Sequence, residues 1–156
     1  DESGGDPSDL RRALELGYSG ISHKNCKGVF HGIANACLLK KYHRDQPERT
    51  WIMSGEDLAN VGPISLLQDL AVQALLGNTS VERNGHHYFK GLSIWPEKWQ
   101  YQIACAHPDV YHKTKDGLTT LLIQEGELNL KSLHQAPFGL SPLLLPDEYF
   151  RQLSTS

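Results

Sequence analysis

Charged and polar side chains follow each of three short apolar stretches of the chain. Lys24 follows the first stretch, and Glu56 follows the second. The side chains after the third stretch are Glu82, Asn84, His86 and His87. Amine, carboxylate and imidazole groups transfer protons, and a lysine can act as a base near neutral pH when burial or a nearby cation lowers its pKa. Lys24 is therefore the first candidate for proton transfer.

Each of these side chains also has an ordinary structural interpretation. Lys24 can be a solvated surface lysine, and Lys27 competes with it as the catalytic lysine. Glu56 precedes a predicted helix, where exposed N–H groups favour anionic side chains. His86 and His87 lack a third ligand at a motif spacing, so they give a weak zinc signal and fit surface or substrate contacts better.

An alternation of helix and strand patterns positions these side chains. Apolar residues recur at spacings of three and four in three segments, which predicts helices over 10–16, 29–44 and 64–76. The predicted short strands are 18–24, 50–53 and 79–81. Such alternation predicts a parallel sheet with helices on its faces, whose chemistry lies beyond the carboxyl ends of the strands.

The pattern changes after Trp95. A helix is predicted over 96–105, and the segments 118–123 and 127–130, which flank Glu125-Gly126, are predicted as a hairpin or as two extended pieces. A stretch rich in proline and glycine follows, and 146–153 is predicted as a last short helix.

Composition excludes several classes of function. The 156 residues are 39% hydrophobic and 21% charged, which is typical of a globular protein, and no apolar run approaches the roughly 18 residues of a membrane span. A net charge of -3 gives no basic footprint for nucleic acid. Three cysteines without C-x-x-C spacing favour a reducing cytoplasm. We expect a cytoplasmic protein with a small-molecule or protein partner, and neither nucleic acid nor membrane as partner.

In their order and spacing, the strand ends resemble the C-terminal half of the catalytic barrel of the enolase superfamily, in its muconate lactonizing enzyme and mandelate racemase branch. Asp1-Glu2-Ser3 resembles the acidic end of the fifth strand, Ile21-Ser22-His23-Lys24 the sixth, and Ile52-Met53-Ser54-Gly55-Glu56 the seventh. Gln124-Glu125-Gly126-Glu127-Leu128 and Pro137-Phe138-Gly139-Leu140 are similar to the C-terminal segment. The sequence departs from the family at His23, where an apolar residue is usual.

The resemblance implies an α/β fold, the C-terminal portion of a TIM-type (β/α) barrel with a C-terminal extension that would pack on a missing capping domain. Residues 1–95 would hold strand–helix units from the end of strand 5 through strand 8. Residues 96–156 would return toward the capping domain as a helix and an extended segment. The chain is then expected to be a piece of a longer enzyme and to be inactive by itself.

The reaction that the resemblance implies is abstraction of the proton next to a substrate carboxylate, which gives an enolate stabilised by Mg²⁺. The enzyme would be a racemase, dehydratase or cycloisomerase. Lys24 and Glu56 would be catalytic, and Asp1 would be a metal ligand. The residues placed against the substrate are Glu82, Asn84 and His86. The alternative is a catalytically inactive, barrel-like protein whose polar strand ends bind a ligand or partner, and a homo-oligomer of the intact protein stays open.

Overall fold

The computed structural model describes residues 5–57, 60–83 and 88–139. They form a mixed α/β fold, which confirms the predicted class. The chain divides into two compact units, Asp1–Leu58 with Val72–Asn84 and Ala59–Ala71 with Gly85–Ser156. None of the helices in the described segments is both long and apolar enough to cross a membrane.

The first unit is built on a parallel sheet of three strands, hydrogen-bonded in the order β1-β2-β3. The strands are β1 (Gly20–His23), β2 (Ile52–Asp57) and β3 (Val81–Arg83). Helix α1 (Asp9–Glu15) precedes β1, α2 (Val29–Asp45) joins β1 to β2, and α3 (Ile64–Leu76) joins β2 to β3. The predicted alternation of strand and helix is confirmed, whereas the closed barrel stays a prediction.

Helices α1 and α3 end where the sequence places glycine. Gly17 follows α1 with φ 94°, and Gly77 follows α3 with φ 74°. Both angles lie in the left-handed region, which glycine enters without the steric cost that a Cβ brings. The periodic apolar residues and these glycines together account for the agreement between predicted and observed helix ends.

Helix α2 and the last turns of α3 pack on one face of the sheet, which we call the helix face. It carries Ile21 and His23 of β1 and Met53 and Gly55 of β2, since side chains alternate along a strand. The buried core of this unit contains Leu10, Leu14 and Leu39, with Ile21 and Met53 packed against it. The opposite face, which we call the open face, carries Gly20, Ser22, Ile52, Ser54 and Glu56.

Strand β2 extends further than its sequence pattern predicts. The apolar run stops at Met53, but the strand continues through the polar residues to Asp57. Parallel pairing with β1 on one side and β3 on the other holds this polar segment extended. Glu56 therefore lies inside the strand, and α3 begins only at Ile64. The interpretation of Glu56 as a helix-capping residue is wrong.

The described part of the second unit contains two small antiparallel pairs and two further helices. Strand β4 (Tyr111–Lys113) pairs with β5 (Thr119–Leu121), and β6 (Ile123–Gln124) pairs with β7 (Glu127–Leu128). Its helices are α4 (Glu97–Ala106) and α5 (Lys131–Gln135).

The hairpin predicted around Glu125-Gly126 is present, and both of its turn residues have positive φ, as a two-residue turn requires. The core of the second unit consists of Leu66, Leu67, Leu70, Leu92, Ile103, Val110, Tyr111, Leu121 and Leu133. The helix predicted over 146–153 lies outside the described residues.

A buried polar cluster links α4 to α5. His107 follows α4 and is 1% exposed, and its Nδ1 lies 2.8 Å from Ser132 Oγ. The backbone N–H of Ser132 donates a hydrogen bond of 2.8 Å to the Asp109 carboxylate. Burial lowers the pKa of His107, and the charge of Asp109 opposes that shift. Burial works to raise the pKa of Asp109, but hydrogen bonds from Ser132 and the nearby His107 hold that pKa below its ordinary value.

Replacement of Leu10 by alanine tests the core of the first unit. Leu10 is fully buried, so Leu10→Ala is expected to lower the free energy of unfolding by about 2–5 kcal/mol. Leu16, at the end of the same helix, is exposed, and Leu16→Ala is expected to change it by less than about 0.5 kcal/mol. Urea denaturation followed by circular dichroism measures both, and equal losses would contradict the assigned core.

The His107 cluster predicts a loss of stability in mild acid. The folded state resists protonation of His107, so the unfolded state binds more protons as the pH falls below about 6.5, and the free energy of unfolding falls with it. His107→Asn keeps hydrogen-bonding capacity toward Ser132 but does not titrate, so this loss should shrink in the variant. The midpoints of urea denaturation, measured for the native chain and the variant between about pH 7.5 and 5, test this prediction. The lowered pKa of Asp109 also makes the free energy of unfolding fall with decreasing pH, but only below about pH 3.8. Equal acid losses in both proteins would refute the assignment.

Candidate functional site

The candidate site lies at the carboxyl ends of β1, β2 and β3, on the open face of the sheet. Lys24 follows β1 with extended backbone angles, φ -120° and ψ 135°, so its side chain continues the alternation and shares a face with Ser22. Ser22 pairs in register with Ser54, and Glu56 pairs in register with Glu82. Lys24, Glu56 and Glu82 therefore follow one another across the three strand ends.

Lys24 and Glu56 form a buried ion pair. Lys24 Nζ lies 3.3 Å from Glu56 Oε1, and the two side chains are only 6% and 10% exposed. The second oxygen of Glu56, Oε2, accepts a hydrogen bond of 3.3 Å from Ser22 Oγ. Charges removed from water are tolerated when they are paired and hydrogen-bonded, and both carboxylate oxygens meet that condition.

The backbone around Lys24 is held by a short turn. Residues Asn25–Lys27 form a single 3₁₀ turn, in which the N–H of Lys27 donates to the carbonyl of Lys24 over 3.0 Å. Gly28 then takes a φ of 99° and leads directly into α2. The chain thus reverses immediately after Lys24, which leaves the lysine at the very tip of its strand.

On the helix face, His23 is buried directly behind Lys24. Its Nε2 lies 2.9 Å from Asn25 Oδ1, a hydrogen-bonding distance. The imidazole also rests against Gly32 of α2, where any Cβ would come within 2.5 Å of the ring carbon Cε1. Only glycine at position 32 leaves room for this ring.

A similar arrangement stands behind Glu56. The preceding residue, Gly55, faces α3, and a Cβ there would overlap the buried amide of Gln73. That amide accepts a hydrogen bond from Asn78 Nδ2, and the N–H of Gly55 donates to the carbonyl of Ser80 over 2.8 Å. Both strand ends of the ion pair are therefore backed by a buried polar side chain and a glycine.

The structure brings together only part of the predicted site. Glu82 lies on β3 beside Glu56 in register, and its side chain is exposed. Lys27, the competing lysine, lies in the turn and is half-buried. The other predicted site residues, which lie outside the described residues, are Asp1, Asn84 and His86.

A pocket of about 570 Å³ opens on the same side of the first unit. It is lined by residues of α1 such as Arg12, by Tyr18, and by open-face residues of β1 and β2, among them Ser22 and Ile52. Its volume falls within the range of small-molecule sites. Ser22 lines this pocket and also binds Glu56, so the pocket adjoins the ion pair.

The described residues do not form the magnesium site that the resemblance implies. Among residues 5–57, 60–83 and 88–139, no three His, Cys, Asp or Glu side chains are grouped as a metal ion would need. Glu56 directs one oxygen to Lys24 and the other to Ser22. Asp1, the presumed ligand, lies outside these segments, so a Mg²⁺ site stays a prediction.

Comparison with protein-family models, with curated proteins and with solved structures finds no match for this chain. The interpretation of the site therefore depends on its own geometry.

The sequence pattern misses three of the side chains that support the ion pair. The alternation along β1 puts Ser22 on the same face as Lys24, but it does not identify Ser22 as a donor to Glu56. Asn25 looks like an ordinary turn residue, and Gln73 like any polar residue of an amphipathic helix. The partner of Asn25 is His23 and that of Gln73 is Asn78, both close in sequence. The sequence carries no local signal for the packing of His23 against Gly32 and of Gln73 against Gly55.

The buried pair predicts an asymmetric response to mutation. Lys24→Met leaves Glu56 charged and buried without its lysine, so the free energy of unfolding should fall by about 3–5 kcal/mol. Adding Glu56→Leu removes the second charge and should recover most of that loss. Lys40→Met, at an exposed lysine of α2, should have an effect below about 0.5 kcal/mol.

A double-mutant cycle by urea denaturation measures the coupling between Lys24 and Glu56. If the losses in the free energy of unfolding add up, so that the double variant is less stable than either single variant, the two side chains are not coupled as the geometry indicates.

Proposed function

We propose that this chain is part of a (β/α) barrel enzyme that resembles the enolase superfamily and abstracts a proton next to a substrate carboxylate. Lys24 transfers the proton, and Glu56 orients Lys24 through their ion pair and assists the transfer. The observation that carries the proposal is the buried contact of 3.3 Å between these side chains at the carboxyl ends of parallel strands.

The two faces of the sheet support a barrel. Helix α2 and the last turns of α3 pack on the helix face, while the open face carries small and polar residues together with Ile52, which is 53% exposed. Parallel sheets are usually covered on both faces. In a (β/α) barrel, the face opposite the helices is the barrel interior, and active sites are built at the carboxyl ends of the strands.

The proposed chemistry requires Lys24 to exchange its proton with a neighbour. Lys24 Nζ lies 3.3 Å from Glu56 Oε1, so the ammonium can give its proton to that carboxylate and become a neutral amine. The amine then takes the proton from the substrate carbon and becomes an ammonium again. Ser22 keeps the carboxylate of Glu56 oriented through its hydrogen bond.

The remaining predicted residues complete the proposal. Glu82 stands next in register to Glu56, where an exposed side chain can reach a bound substrate. Asn84 and His86 follow on the same chain segment and are proposed to contact the substrate as well. Asp1 is proposed as a ligand of Mg²⁺, together with carboxylates other than those described.

Solvent exchange tests the proposal in the intact protein. Incubation in D₂O with Mg²⁺ and a panel of carboxylic acids that carry a hydrogen on the neighbouring carbon should incorporate deuterium there, as detected by proton NMR. Lys24→Met should lower the exchange rate by about 10²–10⁴-fold, the usual contribution of a general base. Lys27→Met, three residues away, is the matched control and should leave most of the exchange intact.

Two outcomes would count against an enzyme of this kind. Exchange that survives in Lys24→Met would remove Lys24 from the reaction. Saturable binding of a panel member without any exchange in the native protein would favour the alternative, an inactive protein that binds ligands at its strand ends.

A further inference from the structure

We propose that His23 is a positioning residue for Lys24, which it holds against Glu56 through its hydrogen bond to Asn25 and its seat on Gly32. A catalytic role for this arrangement rests on the proposed function, whereas the placement of the Lys24 amine by His23 does not. It assigns a role to a buried imidazole that the proposed reaction leaves unused.

The faces of β1 separate His23 from the chemistry. His23 points to the helix face and Lys24 to the open face, so the imidazole cannot reach a substrate that contacts the lysine. It is 4% exposed and lies against α2. Any influence of His23 on Lys24 therefore passes through the backbone that they share.

The contact with Asn25 closes that backbone into a short loop. His23 and Asn25 flank Lys24 in sequence, and their side chains meet at 2.9 Å. The N–H of Lys27 binds the carbonyl of Lys24 within the same turn. With both neighbours tied together and its carbonyl engaged, the backbone of Lys24 is held in one conformation, which fixes the direction in which its side chain leaves the strand toward Glu56.

The choice of histidine has an energetic argument. A buried polar ring costs free energy unless it is hydrogen-bonded, and an apolar side chain would fill the same space without that requirement. Gly32, which admits the ring, lies in the first turn of α2, where glycine is a poorer helix former than alanine. His23 and Gly32 are thus each unfavourable locally, and their contact places the imidazole where it can form a hydrogen bond with Asn25.

Competitive acetylation of lysines measures the placement of Lys24 without any substrate. The chain is treated with acetic anhydride over a range of pH, and peptide mass spectrometry gives the rate at Lys24 relative to that at exposed Lys40. His23→Phe keeps a ring on Gly32 but cannot bind Asn25. The relative rate at Lys24 should rise roughly fivefold, in line with the loss of one hydrogen bond.

Three further variants separate positioning from a general loss of structure. His23→Gln retains an N–H donor for Asn25 and should restore slow labelling. Asn25→Ala removes the acceptor without touching the seat on Gly32, so it should label as fast as His23→Phe, and it stands in for that variant should His23→Phe not fold. His43→Phe, at an exposed histidine of α2, should label like the native chain.

Native labelling of Lys24 in both His23→Phe and Asn25→Ala would overturn the proposal, as would a His23→Gln variant that labels as fast as His23→Phe. These results are independent of the exchange assay. Altered labelling without deuterium exchange in the native protein would keep the positioning role and reject the reaction. Unaltered labelling with exchange that depends on Lys24 would do the reverse.

Discussion

The structure around the candidate site depends on one buried interaction, the ion pair between Lys24 and Glu56. Two charges have left bulk water, and their attraction offsets the cost of desolvation only when distance and hydrogen bonding are well set. Ser22 satisfies the second oxygen of Glu56 from the same strand that carries the lysine. Every element that fixes the spacing of β1 and β2 therefore contributes to this pair, including the helices on the far side of the sheet.

Those helices meet the sheet through two comparable contacts. His23 of β1 rests on Gly32 of α2, and Gln73 of α3 rests against Gly55 of β2. In each contact a buried polar side chain occupies the space that the Cβ of another residue type would fill, and each binds a neighbouring asparagine. On the helix face, a buried polar side chain thus lies behind each of the two residues that form the ion pair.

Local periodicity predicts the helices well, since α2 and α3 combine apolar residues at helical spacing with glycine or proline at their ends. It fails at the end of β2, where Ser54 to Asp57 are polar and only pairing with two neighbouring strands keeps them extended. It also misses β4, whose three residues are too few to show alternation. Lys24 and Glu56 were each identifiable by type, but their contact depends on strand register, which no short stretch of sequence encodes.

The parallel pairing of Ser22 with Ser54 places Lys24 beside Glu56. If β1 slid along β2 by two residues, the alternation of faces would survive, so hydrophobic burial alone would barely distinguish the two alignments. The amine would then stand beside Ser54, and the Glu56 carboxylate would be buried without its counter-charge at a cost of several kcal/mol. The ion pair thus stabilises the observed register of β1 and β2 relative to the shifted one.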